Sequence, residues 1–195
     1  MNSRNCITRG TLAELKSAGQ APVCFVSIGA NLPGAAGEPQ QCVLAAFSAL
    51  VAESRTGLVV SSLWQTTPLD CPSGSPLFVN AVAAFVPVVG DAHALLQRLQ
   101  TLEVEAGRKR GTQRNAARPL DLDILLFGRQ VCATSDLTLP HPRMAERRFV
   151  LAPLAEIAPD LCIPGESNRV STLLERLPEQ GEMRRIESNL RAIVF

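Results

Sequence analysis

Two aspartates, Asp121 and Asp123, stand two positions apart inside an apolar run, and their type and spacing suit metal-assisted chemistry. Side chains alternate faces along an extended strand, so both carboxylates should share one face. The neighbouring apolar side chains should share the other face: Leu120, Leu122, Ile124 and Leu126. Carboxylates on a rigid strand can hold one or two Mg²⁺ ions that also bind substrate phosphates. Two solvated acids at a strand end would show the same spacing, so the pair alone leaves both interpretations open.

Basic residues are concentrated on both sides of the acidic pair, although the chain carries a formal net charge of only +1. Residues 108–118 hold five of them, and residues 139–149 add three arginines and one of the two histidines. Local positive charge in a nearly neutral protein suits a polyphosphate or a nucleic-acid backbone. Carboxylates for Mg²⁺ and guanidinium groups for phosphate oxygens are the groups that phosphoryl transfer requires, because the protein there mainly positions groups and neutralises charge.

The apolar pattern predicts the elements that position these residues, in the order β-α-β-β-α-β. This order is typical of an α+β protein with a ferredoxin-like sheet that carries its helices on one face. Pro39 suits the first turn of one helix, and Asp91 suits the N-cap of the other. A further helix is expected near 147–157. The strands are expected at 23–28, 58–65 and 78–86, and at the acidic pair.

Length and composition favour one domain, because 195 residues with 46% hydrophobic side chains can fill a single core. We expect an N-terminal extension over 1–20 with a short helix near 11–18, the main domain over 21–165, and a C-terminal helical tail over 166–195 that packs on or trails that domain. The six cysteines show no close pairing, which favours reduced thiols and argues against a zinc site. The N-terminus lacks a long apolar run. We expect a cytoplasmic monomer that binds neither membrane nor nucleic acid.

Several short segments, in matching order and spacing, make the chain resemble the 6-hydroxymethyl-7,8-dihydropterin pyrophosphokinases. The resemblance covers roughly residues 23–164, and the joint match is far more specific than any single motif. It implies an enzyme of folate biosynthesis that transfers the β,γ-pyrophosphoryl group of ATP to the hydroxymethyl group of the pterin and releases AMP. The matching segments are 27–32, 66–69, 78–80, 103 with 107–108, 118–123, and 139–149.

The resemblance also implies roles for individual residues. Asp121 and Asp123 match the metal ligands and would hold two Mg²⁺ ions against the triphosphate of the co-substrate ATP. These two aspartates, together with Arg108 and Arg118, are the expected catalytic residues. From the residues alone, Glu103 could equally be a solvated helix carboxylate. An ordinary loop histidine is the less favoured interpretation of His141, given the neighbouring arginines. The residues that match the nucleotide-binding positions are Glu103, Arg108, Arg110, Arg118, His141 and Arg147.

A pterin pocket is implied in the same way. A flat heterocycle is bound well by an aromatic ring on each face and an amide at its edge. Phe78 and Phe149 would supply the faces and Asn80 the edge, although phenylalanines beside strands more often pack in the core. The residues that match this pocket are Thr66, Leu69, Phe78, Asn80 and Phe149.

The chain departs from the family pattern before the acidic strand. Many members carry Trp-Gly-Pro-Arg where this chain has Asn115-Ala116-Ala117-Arg118. Loss of the tryptophan removes packing surface from a loop that is expected to close over the substrates. Pro142 stands where some members have tyrosine, and Ser75 where glutamine is frequent. These changes bear on lid closure and affinity more than on the chemistry, since the arginine and both aspartates are retained.

Two alternative functions compete with the enzyme. Ferredoxin-like sheets frequently bind RNA, and the basic segment could follow a phosphate backbone without catalysis. The chain is only 4% aromatic and has no tyrosine, which argues against base stacking on an exposed sheet. A relative that binds nucleotide without turnover is the second alternative, and the retained aspartates argue against it.

Overall fold

The structure is a computed structural model that describes residues 7–8, 15, 21–108 and 116–186. It is a mixed α/β fold in which helices pack on a largely antiparallel sheet. The strands are β1 (Ile7–Thr8), β2 (Cys24–Ala30), β3 (Leu58–Val60), β4 (Leu63–Thr66), β5 (Phe78–Phe85), β6 (Asp121–Phe127), β7 (Cys132–Ala133), β8 (Thr138–Leu139) and β9 (Met183–Ile186). The helices are α1 (Pro39–Ala52), α2 (Ala92–Glu105), α3 (Arg148–Ile157) and α4 (Val170–Arg176), with a 3-10 turn at Met144–Glu146.

The main sheet has seven strands in the order β1-β3-β5-β2-β6, with β4 paired to β5 and β9 paired to β4. Only the short β1 runs parallel to its neighbour in this sheet, among the residues that the structure describes. The single strand predicted over 58–65 is divided into β3 and β4. The break falls at Ser61 and Ser62, where the Ser61 hydroxyl accepts a hydrogen bond from the Val82 amide at 3.0 Å.

The predicted helix starts are confirmed, and each has a local cause. Pro39 opens α1, and the Glu38 amide donates to Gln41 Oε1 at 2.8 Å in a capping box. Asp91 caps α2 by accepting from the Ala94 amide at 2.9 Å. Gly107, with φ +98°, follows α2 in the left-handed conformation that commonly ends a helix. Gly107 therefore marks the end of α2, directly before Arg108.

Helices cover both faces of the sheet, whereas the sequence pattern predicted helices on one face. The first core contains α1 and α2 and includes Phe47 and Leu99. The second contains α3 and includes Val82 and Leu154. Because β2 and β5 contribute to both cores, their side chains are almost completely buried. This double burial explains why these strands are apolar on both faces.

A β-bulge in β6 corrects the predicted alternation of its leucines. Ile124 pairs with Val26 and Leu126 pairs with Phe25, so Leu125 is an extra residue in the ladder. Leu126 was predicted to share a face with Leu122, but it lies in the α3 core beside Leu125. The Leu125 carbonyl accepts a hydrogen bond from the His141 amide at 2.9 Å. The bulge thereby fixes the loop after β8 against the sheet.

The segment after Gly165 adds both α4 and β9, of which the sequence analysis predicted only a helix. β9 pairs antiparallel with β4. Glu156 of α3 holds this edge together by accepting from the Ser62 amide at 2.7 Å, from Trp64 Nε1 at 3.1 Å and from Arg185 Nη2 at 2.6 Å. The C-terminal strand is therefore bonded to the sheet and to α3.

Two further expectations concern the class of protein. No helix in the described part of the chain combines the length and apolar character that a membrane span needs. Cysteines within the described ranges are free thiols. The helix predicted near 11–18 lies outside the described residues.

Candidate active site

The α3 face of the sheet opens at one end into a cavity of about 380 Å³. All predicted site residues inside the described ranges line it: Thr66, Leu69, Phe78, Asn80, Glu103, Arg108, Arg118, Asp121, Asp123, His141, Arg147 and Phe149. Arg110 and Asn115 lie outside the described residues. Residues that are distant in sequence therefore come together around one cavity, although their individual roles remain predictions.

The floor of the cavity is formed by small residues of β2. Gly29 pairs with Asn80 of β5 on one side and with Asp121 of β6 on the other. Ser27, two residues from Gly29 along β2, pairs with Asp123. A Cβ at position 29 would lie 3.0 Å from Asn80 Oδ1, so only glycine leaves this part of the floor open. Both small residues belong to the matching segment 27–32, but no role was predicted for either.

Asp121 is paired with two arginines and not with solvent alone. Arg108 Nη1 donates to Asp121 Oδ1 at 2.7 Å, and Arg118 Nη1 donates to the same oxygen at 3.1 Å. Arg108 Nη1 also donates to Glu103 Oε1. Charge-assisted bonds of this kind orient both partners. Arg108 and Arg118, at the two ends of the basic segment, are thus both bonded to the acidic strand at Asp121.

Glu103 of α2 lies beside β6, along the edge of that strand that pairs with no other described strand of the main sheet. Its Oε1 accepts the Leu122 amide at 2.8 Å, an N–H group that faces away from β2 and would otherwise be unpaired. The residue is buried, so the alternative of a solvated helix carboxylate is wrong. Burial raises the pKa of Glu103 to about 7, against the opposing effects of the Leu122 hydrogen bond and the Arg108 charge.

Asp123 is half-buried in the cavity, and its carboxyl holds its proton unusually strongly. Burial raises the pKa of its carboxyl to about 6, and repulsion from Asp121 adds to this effect. The arginines at 147, 118 and 108 oppose the shift but do not cancel it. Negative charge at this point is therefore under-compensated, which is the electrostatic condition that favours a bound cation.

A basic wall faces the acidic pair. Burial, together with the charges of Arg147 and Arg143, lowers the pKa of His141 to about 4, so this imidazole is neutral near pH 7. His141 Nδ1 accepts from the Arg143 amide at 3.2 Å, which leaves the ring proton on Nε2 as a donor. Burial and the charge of Arg143 also lower the pKa of Arg147. Concentrated positive charge on this wall suits phosphate oxygens.

The opposite end of the cavity is less charged. Asn80 is buried, and its Nδ2 donates to Thr66 Oγ1 at 2.8 Å. Phe78 and Phe149 are only half-buried and line the cavity, instead of packing fully in the core. The guanidinium carbon of Arg147 lies 5.4 Å from the centroid of the Phe149 ring. An amide and two aromatic rings are therefore available to a flat ligand.

Asn31 does not line the cavity, but it fixes a residue that does, and no role was predicted for it. Its Oδ1 accepts from the Arg118 backbone amide at 2.7 Å, and its own backbone amide donates to the Arg118 carbonyl at 3.1 Å. These bonds fix the backbone of Arg118 at the cavity. A buried asparagine at the end of an apolar strand was the available signal, because a buried amide requires partners. Arg143, which does line the cavity, was counted as basic but likewise not assigned a role.

The sequence of the chain is similar to a known protein family and to individual members of it. The model of the 7,8-dihydro-6-hydroxymethylpterin-pyrophosphokinase (HPPK) family matches residues 25–159. The chain is 42% identical over 158 residues to the 2-amino-4-hydroxy-6-hydroxymethyldihydropteridine pyrophosphokinase of Pseudomonas aeruginosa, covering 80% of this chain and 93% of that protein. The enzyme of the same name from Haemophilus influenzae is 40% identical over 141 residues, covering 72% of this chain and 84% of that protein.

Among solved structures, the crystal structure of wild-type Plasmodium falciparum HPPK-DHPS with pteroate aligns with a TM-score of 0.62 and 12% sequence identity. The alignment covers 80% of this chain but only 44% of that one, so this chain spans less than half of that protein. At such low identity the likeness concerns the fold alone.

Proposed function

Because the chain belongs to the 7,8-dihydro-6-hydroxymethylpterin-pyrophosphokinase family, we propose that it transfers the pyrophosphoryl group of ATP to the hydroxymethyl group of 6-hydroxymethyl-7,8-dihydropterin in folate biosynthesis. The observation that carries the proposal is the row Asn80, Gly29 and Asp121 across three adjacent strands. Neighbouring strands lie about 4.8 Å apart, so the backbones that carry the amide and the carboxylate are roughly 10 Å apart. A bicyclic ring bound at the amide would place its hydroxymethyl arm near the carboxylates.

The pterin would lie over Gly29. Asn80 is held by Thr66 and can meet the donor and acceptor groups at the edge of the ring. Phe78 and Phe149 would contact its faces, and Leu69 at the rim of the cavity would shield it from solvent. In this arrangement the aromatic groups fix the plane of the substrate and the amide fixes its direction.

The acidic pair fits Mg²⁺. No cluster of three or more metal-ligating side chains occurs in the part of the chain that the structure describes, so Asp121 and Asp123 would be the main protein ligands there. Mg²⁺ typically binds one or two carboxylates and completes its shell with water and substrate phosphates. Two ions at this position would neutralise the triphosphate and lower the pKa of the attacking hydroxyl.

The basic residues would hold the triphosphate of ATP opposite the hydroxymethyl group. Arg118 Nε is buried and has no hydrogen-bond partner among the described residues, and a phosphate oxygen would supply one. Arg147 and neutral His141 would contact other oxygens from the opposite wall. The hydroxymethyl oxygen attacks the β-phosphorus, the bond between that phosphorus and the α,β-bridging oxygen breaks, and AMP leaves with its electron pair. Arg108 is positioned by Glu103 and Asp121 to stabilise the charge that develops on the phosphate oxygens.

We also infer that the core of the fold is ferredoxin-like. The chain order β2-α1-β3/β4-β5-α2-β6 and the spatial order β6-β2-β5-β3/β4 support this inference. The coverage of both sheet faces by helices argues against the alternative of RNA binding on an open sheet, and both phenylalanines of the site face the cavity instead.

The test is AMP release from ATP by the purified chain with Mg²⁺, with and without the pterin. Asp121→Ala should abolish the pterin-dependent AMP, whereas Asp160→Asn, an exposed acid near α4, should leave it unchanged. If the folded wild-type chain binds ATP but forms no AMP with the pterin, the proposal fails. If Asp121→Ala keeps near-normal turnover, the metal role of this residue fails.

A further inference from the structure

The start of α3 carries two residues of the cavity wall, Arg147 and Phe149, but lacks a cap from its own sequence. Arg147 is the N-cap residue, and its side chain makes no capping hydrogen bond. The first N–H groups of a helix have no partner within the helix and must find one elsewhere. A side chain from a distant part of the chain meets this requirement.

That side chain is Gln180, in the loop between α4 and β9. Its Oε1 accepts from the Arg148 amide at 2.8 Å, and its Nε2 donates to the Glu146 carbonyl at 2.7 Å. One amide group thus bridges the backbone on both sides of Arg147. Gln180 uses both its donor and its acceptor in doing so, which a hydrophobic or shorter side chain cannot do.

A second contact joins the same two segments, and here the side chain belongs to α3 and the backbone acceptors belong to the end of α4. Arg148 Nη1 donates to the Leu174 carbonyl at 3.3 Å and to the Leu177 carbonyl at 3.1 Å, at the C-terminal end of α4. A cation at this end of a helix interacts favourably with the last carbonyls and with the negative end of the helix dipole. The start of α3 and the segment 174–180 therefore hold each other in place.

The same loop also touches the other wall of the proposed pterin pocket. The Thr67 amide donates to the Glu182 carbonyl at 3.0 Å. Gly181 has φ +69°, and a Cβ on it would lie only 2.0 Å from Thr67 Oγ1. Thr67 lines the cavity beside Thr66. Residues 180–182 thus contact the backbone next to Phe149 on one side and next to Thr66 on the other.

We infer that Gln180 is a positioning residue for the pterin pocket: through its two hydrogen bonds to the backbone at 146 and 148 it fixes Arg147 and Phe149 in the cavity wall. The inference rests on the proposed function for the identity of the ligand. It does not require Gln180 to touch either substrate. Because the loop braces both walls at the pterin end, its loss should affect the pterin more than ATP, which is also held by Arg108 and Arg118.

Gln180→Met keeps the length of the side chain and removes both hydrogen bonds. We expect the KM for the pterin to rise about tenfold and the KM for ATP to change less than threefold, since displacement of a binding group by a fraction of an ångström has effects of this order. Arg169→Ala is the matched control, because it removes an exposed ion pair with Asp160 from the same C-terminal segment without contact to residues 146–149. Unchanged KM values in Gln180→Met, or equal increases for both substrates, would overturn the inference.

A double variant tests the path of the effect. If Gln180 acts through Phe149, Gln180→Met should change the pterin KM less than twofold when Phe149 is already alanine. A full tenfold increase in that background would show that Gln180 acts elsewhere. Gln180→Glu keeps the acceptor for the Arg148 amide but loses the donor to the Glu146 carbonyl, and it serves as the second variant if Gln180→Met does not fold. An unchanged pterin KM in that variant would overturn the inference.

Amide exchange separates this inference from the proposed function. Exchange at the Arg148 amide should be at least about tenfold faster in Gln180→Met than in the wild type or Arg169→Ala, because its acceptor is removed. Equal protection in all three proteins would overturn the inference even if turnover is normal. A wild-type chain that shows this exchange pattern but no pterin-dependent AMP would contradict the proposed function and leave the positioning intact.

Discussion

Asp123→Asn should make the metal-free protein more stable while it removes activity. Raising the pKa of this carboxyl from 3.8 to about 6 disfavours the ionised folded state by about 3 kcal/mol relative to the unfolded chain. Part of this penalty comes from Asp121, and Asp123 is only half-buried, so solvent screens part of the remainder. We therefore expect asparagine to recover about 1–2 kcal/mol at pH 7.5. Turnover should fall at least about 100-fold, because a metal ligand is lost.

The pH dependence fixes the sign of this effect. Below about pH 4 the carboxyl is protonated in both states and costs little. As the pH rises through 3.8 towards 6, the unfolded chain releases its proton first, so the wild type loses stability that the variant keeps. The advantage of Asp123→Asn should therefore grow between pH 4 and pH 6 and stay constant up to pH 8.

Urea unfolding in EDTA, at several pH values, measures this difference. Asp160→Asn is the control, and it should change stability by less than about 0.5 kcal/mol because its ion pair is exposed. Adding Mg²⁺ with ATP should stabilise the wild type but not Asp123→Asn. A variant that is less stable than the wild type at pH 7.5, or a difference that does not vary with pH, would refute the argument from burial.

Two further predictions concern the pterin end of the cavity. Gly29→Ala should raise the pterin KM at least about tenfold with a smaller change for ATP, because its Cβ would lie 3.0 Å from Asn80 Oδ1. Calorimetric titration with each substrate checks this prediction. An unchanged pterin affinity would mean that the ring does not lie over this residue. Phe149→Ala should weaken pterin binding by about 1–3 kcal/mol and ATP binding much less, since it removes one face of the ring site. Leu77→Ala, an exposed side chain outside the cavity, is the control, and equal losses for both substrates would remove Phe149 from the pocket.

The strands and helices that carry the site followed from local patterns. Alternation placed Asp121 and Asp123 on one face, and the spacing of apolar residues with Pro39 and Asp91 located α1 and α2. These features depend on a few neighbouring residues, so a single sequence contains them. The resemblance then identified side chains that periodicity alone would have assigned to the core, such as Phe149.

Features that depend on distant residues could not be predicted in this way. The bulge at Leu125 arises from pairing with β2, and the alternation of β6 in isolation gives no sign of it. The partner of Glu103 is an amide on another element, so burial and solvation were equally compatible with its helix position. Gln180 lies in a polar loop whose composition indicates only a turn. Each of these residues acquires its role through a contact that sequence spacing does not encode.

The bulge at Leu125 also limits how the length of β6 can change during evolution. Upstream of it the cavity side of the strand carries carboxylates, and downstream the same side carries leucines of the α3 core. Deleting Leu125 would restore regular pairing and leave the acidic pair and Leu126 on the same side, because Leu125 and Leu126 already lie in one layer. A residue inserted into a regular part of the strand would instead turn one half over, because side chains alternate with a period of two. The bulge is therefore the point at which β6 can lose a residue without separating its carboxylates from its core leucine.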